Sequence, residues 1–167
     1  MRTAPLKVTV ICLVLVWIVR AGESAGGQGG AFLRNPVGAR PAGMGDAFVA
    51  VADDANALLY NPGGLYQTGP LSLGGMYSLM GLGRRHYQAS LSSTSQNLGS
   101  LGLMLVAYEV TGIDGRDEFG NPTAKFDDSE MALTLGYGRQ LLAFLGAGLG
   151  GRLLYQTLET GRFQRFP

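Results

Sequence analysis

The sequence predicts an all-β fold, the first strands of an antiparallel β-barrel of the transmembrane kind. Three observations predict it. A secretory-type leader opens the chain. From Leu71 onward, apolar residues alternate with small or polar ones at a period of two. Glycine, 27 of 167 residues, clusters inside those alternating segments. Short segments of this kind, apolar on one side and small or polar on the other, suit a wall between lipid and water. A soluble antiparallel sandwich alternates too, but glycine-rich strand interiors would make a poor sandwich core.

The leader comes first. Arg2 and Lys7 give a positive start, Val8 to Val19 is an apolar run, and Ala21, Gly22, Ser24 and Ala25 are small. Cleavage after Ala21 or Ala25 fits this order, so residues 1–25 read as a signal peptide. The alternative is a membrane anchor. The run, about a dozen residues, falls well short of the ~20 that span a bilayer as a helix. Cys12 is the only cysteine and lies within the leader, preceded by Ile11, which does not suit a lipoprotein cleavage point. The processed chain would therefore hold no disulfide and no cysteine metal site. His86 is the only histidine, which excludes a multi-histidine metal cluster. Charge is nearly balanced, with no basic stripe, so nucleic acid is not an expected partner.

Gly26 to Gly30 reads as a flexible start, and Phe32 to Pro41 as irregular chain punctuated by Pro36, Gly38 and Pro41. Ala47 to Ala52 is a short apolar segment expected to be extended. Asp53 reads as a helix cap, and Asp54 to Tyr60 as a short helix with acid at its positive end. Asn61-Pro62-Gly63-Gly64 stops that helix.

Five strands follow. Leu71 to Met80 sends Leu71, Leu73, Tyr77 and Leu79 one way, and Ser72, Gly74 and Ser78 the other. Gly81 to Arg85 turns the chain. His86 to Ser93 alternates Tyr87, Ala89 and Leu91 with His86, Gln88, Ser90 and Ser92. After a turn at Thr94 to Asn97, Leu98 to Val110 is apolar on both faces, and its sides stay unassigned. Thr111 to Asp128 is a long polar loop. Ser129 to Arg139 sets Met131, Leu133, Leu135 and Tyr137 against Glu130, Ala132, Thr134, Gly136 and Gly138. Gln140 to Ala143 turns the chain again. Phe144 to Leu158 sets Leu145, Ala147, Leu149, Leu153 and Tyr155 against Gly146, Gly148, Gly150, Arg152 and Gln156.

Loop rhythm agrees with a barrel. With a periplasmic amino end, the short turns at Thr94 to Asn97 and Gln140 to Ala143 fall on the periplasmic side and the long Thr111 to Asp128 loop outside. Tyr77 and Tyr87 would then lie near the outer interface and Tyr137 near the inner one. Five strands do not close a cylinder, because a spanning barrel has at least about eight and lipid tolerates no open edge. The expectation is a longer protein of which this is the amino-terminal part; assembly from copies is the alternative.

Gly38 to Leu65 is the most distinctive stretch. Ala39-Arg40, then Gly43-Met44-Gly45, a short apolar run, Asp53-Asp54 and Asn61-Pro62-Gly63-Gly64-Leu65 follow in order. This resembles the amino-terminal region of the PorV/PorQ-like outer-membrane proteins, relatives of the FadL-type long-chain fatty-acid transporters. Gly63 stands where that pattern has alanine. The resemblance covers Gly38 to Leu65 and agrees only in kind thereafter. It implies a barrel whose amino-terminal segment, residues 26–69, folds inward as a hatch, with residues 70–167 forming the first strands. The hatch and ligand residues it implies are Phe48, Asp53, Asp54, Leu59, Tyr60, Asn61 and Pro62. Its expected partners are outer-membrane lipid and either a hydrophobic small molecule or secreted protein cargo. Transport of hydrophobic ligands is one implied role; cargo binding in type IX secretion is the other.

A short helix bearing Leu58, Leu59 and Tyr60 is too small to stand alone and needs a wall. Gly136, Gly138, Gly146, Gly148 and Gly150 all fall on the inferred inner face, so the hatch is expected to pack on the fourth and fifth strands. Arg152, inward among those glycines, could meet a carboxylate ligand or a hatch acid. No catalytic constellation is expected. His86 reads as an exposed turn histidine beside Arg84 and Arg85, which read as a solvated turn that could also meet lipopolysaccharide phosphates. Asp114, Asp117, Glu118, Asp127 and Asp128 read as a solvated loop, because their spacing does not match a calcium loop. No cofactor and no metal are expected.

Overall fold

The computed structural model describes residues 29–159. The predicted signal peptide, residues 1–25, lies outside the described residues. Five strands make one antiparallel sheet in sequence order: β1 (Leu71–Leu79), β2 (Arg84–Ser95), β3 (Gly99–Ile113), β4 (Phe126–Leu142) and β5 (Leu145–Glu159). The fold of the described residues is thus mostly antiparallel β. β1 and β5 are the sheet's two edges.

The register fixes which residues share a rung. Gly74 stands opposite Ser90, Ser90 opposite Met104, Met104 opposite Thr134, and Thr134 opposite Arg152. Because side chains alternate, that one rung assigns both faces of every strand. One face carries Leu73, Tyr77, Leu91, Leu101, Leu103, Leu105, Leu135, Leu149 and Leu153, all exposed. The other carries Ser100, Met104, Val106, Ala132 and Thr134, all buried. The two faces of β3, unassigned in the sequence, are thereby separated.

What buries the second face is the segment before β1. It contains α1 (Ala39–Gly43), α2 (Ala57–Tyr60) and 3-10 helices at Ala31–Arg34 and Pro62–Gln67. None of these is long enough to be stable alone. Phe32, Val37, Phe48, Ala52, Ala57, Leu58 and Leu65 form a single apolar cluster with Met104, Val106 and Ala132 of the sheet. The segment is therefore a lid on one face of the sheet, held by shared core.

Several expectations are corrected. Ala47 to Ala52 is not extended: Val51 and Ala52 both donate to the Phe48 carbonyl, at 3.0 and 2.9 Å. Its buried residues, Phe48 and Ala52, are four apart, while Val49 is 55% exposed. That is the spacing of a helical turn, and a run of small apolar residues hides it. The short helix begins at Ala57 rather than Asp54, since the Asp54 carboxylate accepts from the Asn56 N–H at 2.7 Å and forms a turn before it. Asp53 is not its cap.

The first strand turn is only Gly81-Leu82-Gly83, all three with positive φ. Arg84 and Arg85 belong to β2, and His86 is buried, 1% exposed. It was expected at an exposed turn; instead the strand begins earlier and points it under the lid. β2 and β4 also run two to three residues beyond their expected ends into the short turns, because backbone pairing continues there. The polar loop shortens accordingly, as β3 reaches Ile113 and β4 starts at Phe126.

Candidate functional site

The lid is built around Tyr60. Its hydroxyl donates to Asp46 Oδ1 at 2.6 Å and accepts from the Val37 N–H at 3.0 Å. Its ring meets Phe48 edge-on, with centroids 5.4 Å apart. Asp46 is held in the left-handed region, φ 67°, next to Gly45 at 60°. Burial and the Asp46 bond push the Tyr60 pKa up to about 12. Tyr60 therefore stays neutral and pins three separated parts of the lid together.

A second knot lies at the lid's rim. The Arg40 guanidinium bonds Asp53 and reaches Asp54 at 3.3 Å, while lying 5.2 Å from the Phe48 ring centroid. The Asp53 bond raises the Arg40 pKa, and the Arg40 bond holds Asp53 below the ordinary carboxylate range. Both groups are largely exposed, so the pair contributes little to stability. Asn61 donates from its side chain to the Val49 carbonyl at 3.1 Å. Its extended backbone, before Pro62, ends α2 and starts the next helix.

The lid meets the sheet in two unlike ways. Against β4 and β5 the fit is backbone to backbone. A Cβ built on Gly138 or Gly148 would overlap Pro62, and one on Gly146 would overlap Gly63 and Tyr66. A Cβ on Gly136 would overlap Leu58. Glycine at these places lets the lid approach to contact, as its position on the inner face implied.

Against β1 and β2 the contact is polar and incomplete. His86, Gln88, Ser90 and Ser92 alternate along β2 beneath the lid, at 1%, 5%, 5% and 0% exposure. Gln88 Nε2 donates to Asn56 Oδ1 at 3.1 Å. The other polar atoms, His86 Nε2, Gln88 Oε1, Ser90 Oγ and Ser92 Oγ, have no hydrogen-bond partner. A cavity of about 180 Å³ opens along this seam, lined by residues including Arg40, Asp54, Asn56, Ser72, Gly74 and Gln88.

Of the residues singled out in the sequence, Phe48, Asp53, Asp54, Leu59, Tyr60, Asn61 and Pro62 all lie in the lid. Leu59 is half-buried against the shared core. Arg152 is apart from them, on β5, where Nε donates to Thr134 Oγ1 at 3.1 Å. Sequence reasoning passed over Arg40, Asp46 and Asn56 as partners, and over the row on β2 as a buried surface. Alternation put that row on one face, but nothing in it announced a covering segment.

His86 and Ser90, four residues apart on a strand, are separated by about 13 Å, too far for a serine–histidine pair. Ser78 stands opposite His86 on β1, yet His86 Nε2 has no partner. The loop acids are used locally. Asp117 accepts from the N–H groups of Phe119 and Asn121 and from the Asn121 amide, which lowers its pKa. Asp114 pairs with Lys125, and Asp127 accepts from the Gly112 N–H. Among the described residues, no three such groups gather as a metal site would need.

Comparisons with protein-family models, with curated proteins and with solved structures find no match.

Proposed function

We propose that the chain is the amino-terminal part of an outer-membrane β-barrel of the FadL/PorV type, exported by its leader. The sheet curves into barrel wall, the lid is the hatch inside it, and further strands add at the free edges of β1 and β5. The role is passive: a hydrophobic ligand enters, binds beside the hatch, and leaves when the hatch shifts. No covalent chemistry is required.

One observation carries this reading. Leucines such as Leu73, Leu101, Leu135 and Leu149 stand exposed on one face of the sheet, while His86, Gln88, Ser90, Ser92 and Ser100 are buried on the other, beside Met104, Val106 and Ala132. In water that arrangement would expose a large apolar patch and bury polar groups at a cost. With lipid outside, the cost of the apolar patch falls away. The band has a fitting height. On β4 the outward residues Met131 to Tyr137 lie between Ser129 and Arg139. From Ser129 to Arg139 there are about ten rises of ~3.3 Å, about 33 Å of strand, or about 25 Å between these polar flanks at a ~40° tilt. Tyr77 and Tyr87, centroids 5.1 Å apart, and the pair Arg85–Glu109 sit together at one end of the outward face. Aromatic and charged residues belong at such an interface.

Membrane fractionation with gel mobility before and after heating tests the reading. The barrel predicts recovery in the outer membrane and a mobility shift on boiling. A water-soluble product that needs no detergent would refute it. Uptake of a labelled long-chain fatty acid in a deletion strain then tests the ligand class, and unchanged uptake counts against a transporter.

The cargo-binding reading has one observation in its favour. The loop between β3 and β4 is tied by Asp117 and presents Phe119 at 82% exposure. An ordered loop with an exposed aromatic tip suits a protein contact. Loss of cargo attachment on Phe119→Ser, with fatty-acid uptake unaffected, would favour it.

A further inference from the structure

The hatch is held unequally, and the inequality has a direction. Toward β4 and β5, the Pro62–Gln67 helix lies against glycine backbone with no room for a methyl group. At its end the same helix is tied to the last turn-side residues of β2: Thr68 Oγ1 lies 2.8 Å from Thr94 Oγ1, which also donates to the Leu65 carbonyl at 3.2 Å. Beyond that end, toward β1 and the rest of β2, one side-chain hydrogen bond, Gln88 to Asn56, faces four buried polar atoms without partners. A buried polar group without a partner bears its full desolvation penalty, and hydration removes it. Separation there therefore recovers free energy, whereas separation at the glycine seam only loses contacts. The cavity of about 180 Å³ already lies on the β1–β2 side, with Gln88 in its wall.

We infer that the hatch opens on its β1–β2 side, tilting about the Pro62–Gln67 helix, which stays seated on β4 and β5. The surface uncovered is the row His86, Gln88, Ser90 and Ser92, faced by Ser72 and Gly74. This row takes water and hydrogen-bonding groups, so an amphipathic ligand passes with its polar end on β2. The inference deepens the barrel-and-hatch reading and rests on it.

Ser90 and Thr134 offer a matched test. They share a rung, each opposite Met104, and are 5% and 3% exposed. Static burial therefore predicts equal labelling. In a Cys12→Ala background, Ser90→Cys and Thr134→Cys are made singly in the full-length protein. Each is treated with a charged, water-borne methanethiosulfonate. The expected result is that Ser90→Cys reacts at least about ten-fold faster, because local opening exposes it first. A smaller ratio, a faster Thr134→Cys, or no labelling of either overturns the inference. If either variant fails to fold, Ser92→Cys and Ala132→Cys, both at 0% exposure, replace the pair with the same criterion. The ratio is read whether the protein is recovered from membrane or from solution. Failure of the hinge is thus separate from failure of the membrane reading.

Discussion

Gly148 of β5 lies so close to Pro62 of the lid that a Cβ placed on it would overlap the proline carbonyl. The two residues are distant in sequence, and their contact explains the glycine content of β5 better than any preference of strands for glycine. Gly148→Ala should therefore push the lid off its seat and destabilise the fold by about 1–3 kcal/mol, as overpacking does. Gly151, on the opposite face of the same strand, has open space at its Cβ position. Gly151→Ala should be neutral or stabilising by about 0.5–1 kcal/mol, since alanine loses less backbone entropy. Denaturant midpoints of the two variants check the contrast. Equal effects would mean that the seam does not exist.

Tyr60 leads to a prediction about alkali. Its folded-state pKa is raised to about 12. Between pH 10 and 12 the native state then holds a proton that the unfolded chain releases. The stability due to neutral Tyr60 is complete below about pH 10 and is lost as pH rises through the folded value. Tyr60→Phe should cost about 1–3 kcal/mol at neutral pH by stranding Asp46 Oδ1 and the Val37 N–H. It should also flatten the dependence between pH 10 and 12. Unfolding midpoints of both proteins across that range provide the test. Asp53 has the opposite sign, because its depressed pKa gives stability above the ordinary value of 3.8 that is lost toward acid. Its exposure keeps that effect small.

The unpartnered hydroxyls on β2 predict a gain from removing them. Ser90→Ala and Ser92→Ala each delete a buried polar atom with no hydrogen bond. Either should leave stability unchanged or raise it by up to about 1–3 kcal/mol, whereas serine-to-alanine changes at bonded sites lower it. Ser100 is the internal control, being equally buried but bonded to Thr94 at 2.9 Å. Ser100→Ala should destabilise. If all three behave alike, the polar row is ordinary core.

How far the sequence could be read follows from which forces act locally. Period-two alternation in β1, β2, β4 and β5 reports a two-sided environment, and it placed every outward leucine named there correctly. Glycines at Gly136, Gly138, Gly146 and Gly148 pointed to a close neighbour, because nothing else explains their cluster on one face. β3 shows no alternation, since Met104 and Val106 face the apolar lid cluster and Leu103 and Leu105 lie on the exposed face, so both sides are greasy. The lid was legible only in outline. Its turns are fixed by side chains that reach across the chain, such as Tyr60 to Asp46 and Arg40 to Asp53, and no local period records such contacts. His86 was misplaced for the same reason: two neighbouring arginines mimic a turn, while the segment that buries the imidazole lies far upstream.

The exposed leucines separate a membrane wall from a soluble sheet. Leu135 stands in the middle of the outward band of β4 and is 58% exposed. Were that face in water, Leu135→Arg would be a surface change within about ±0.5 kcal/mol. Were it in hydrocarbon, arginine near the midplane would cost about 2–4 kcal/mol. Arg139, at the edge of the same face, calibrates the depth: Arg139→Leu should move stability by no more than about 1 kcal/mol, because interfacial charges are tolerated. Folding titrations in lipid vesicles, with wild type and both variants side by side, measure the difference. A Leu135→Arg protein as stable as its parent would place the leucine face in water and end the barrel reading. A loss several times that of Arg139→Leu would locate the hydrocarbon at the centre of the band.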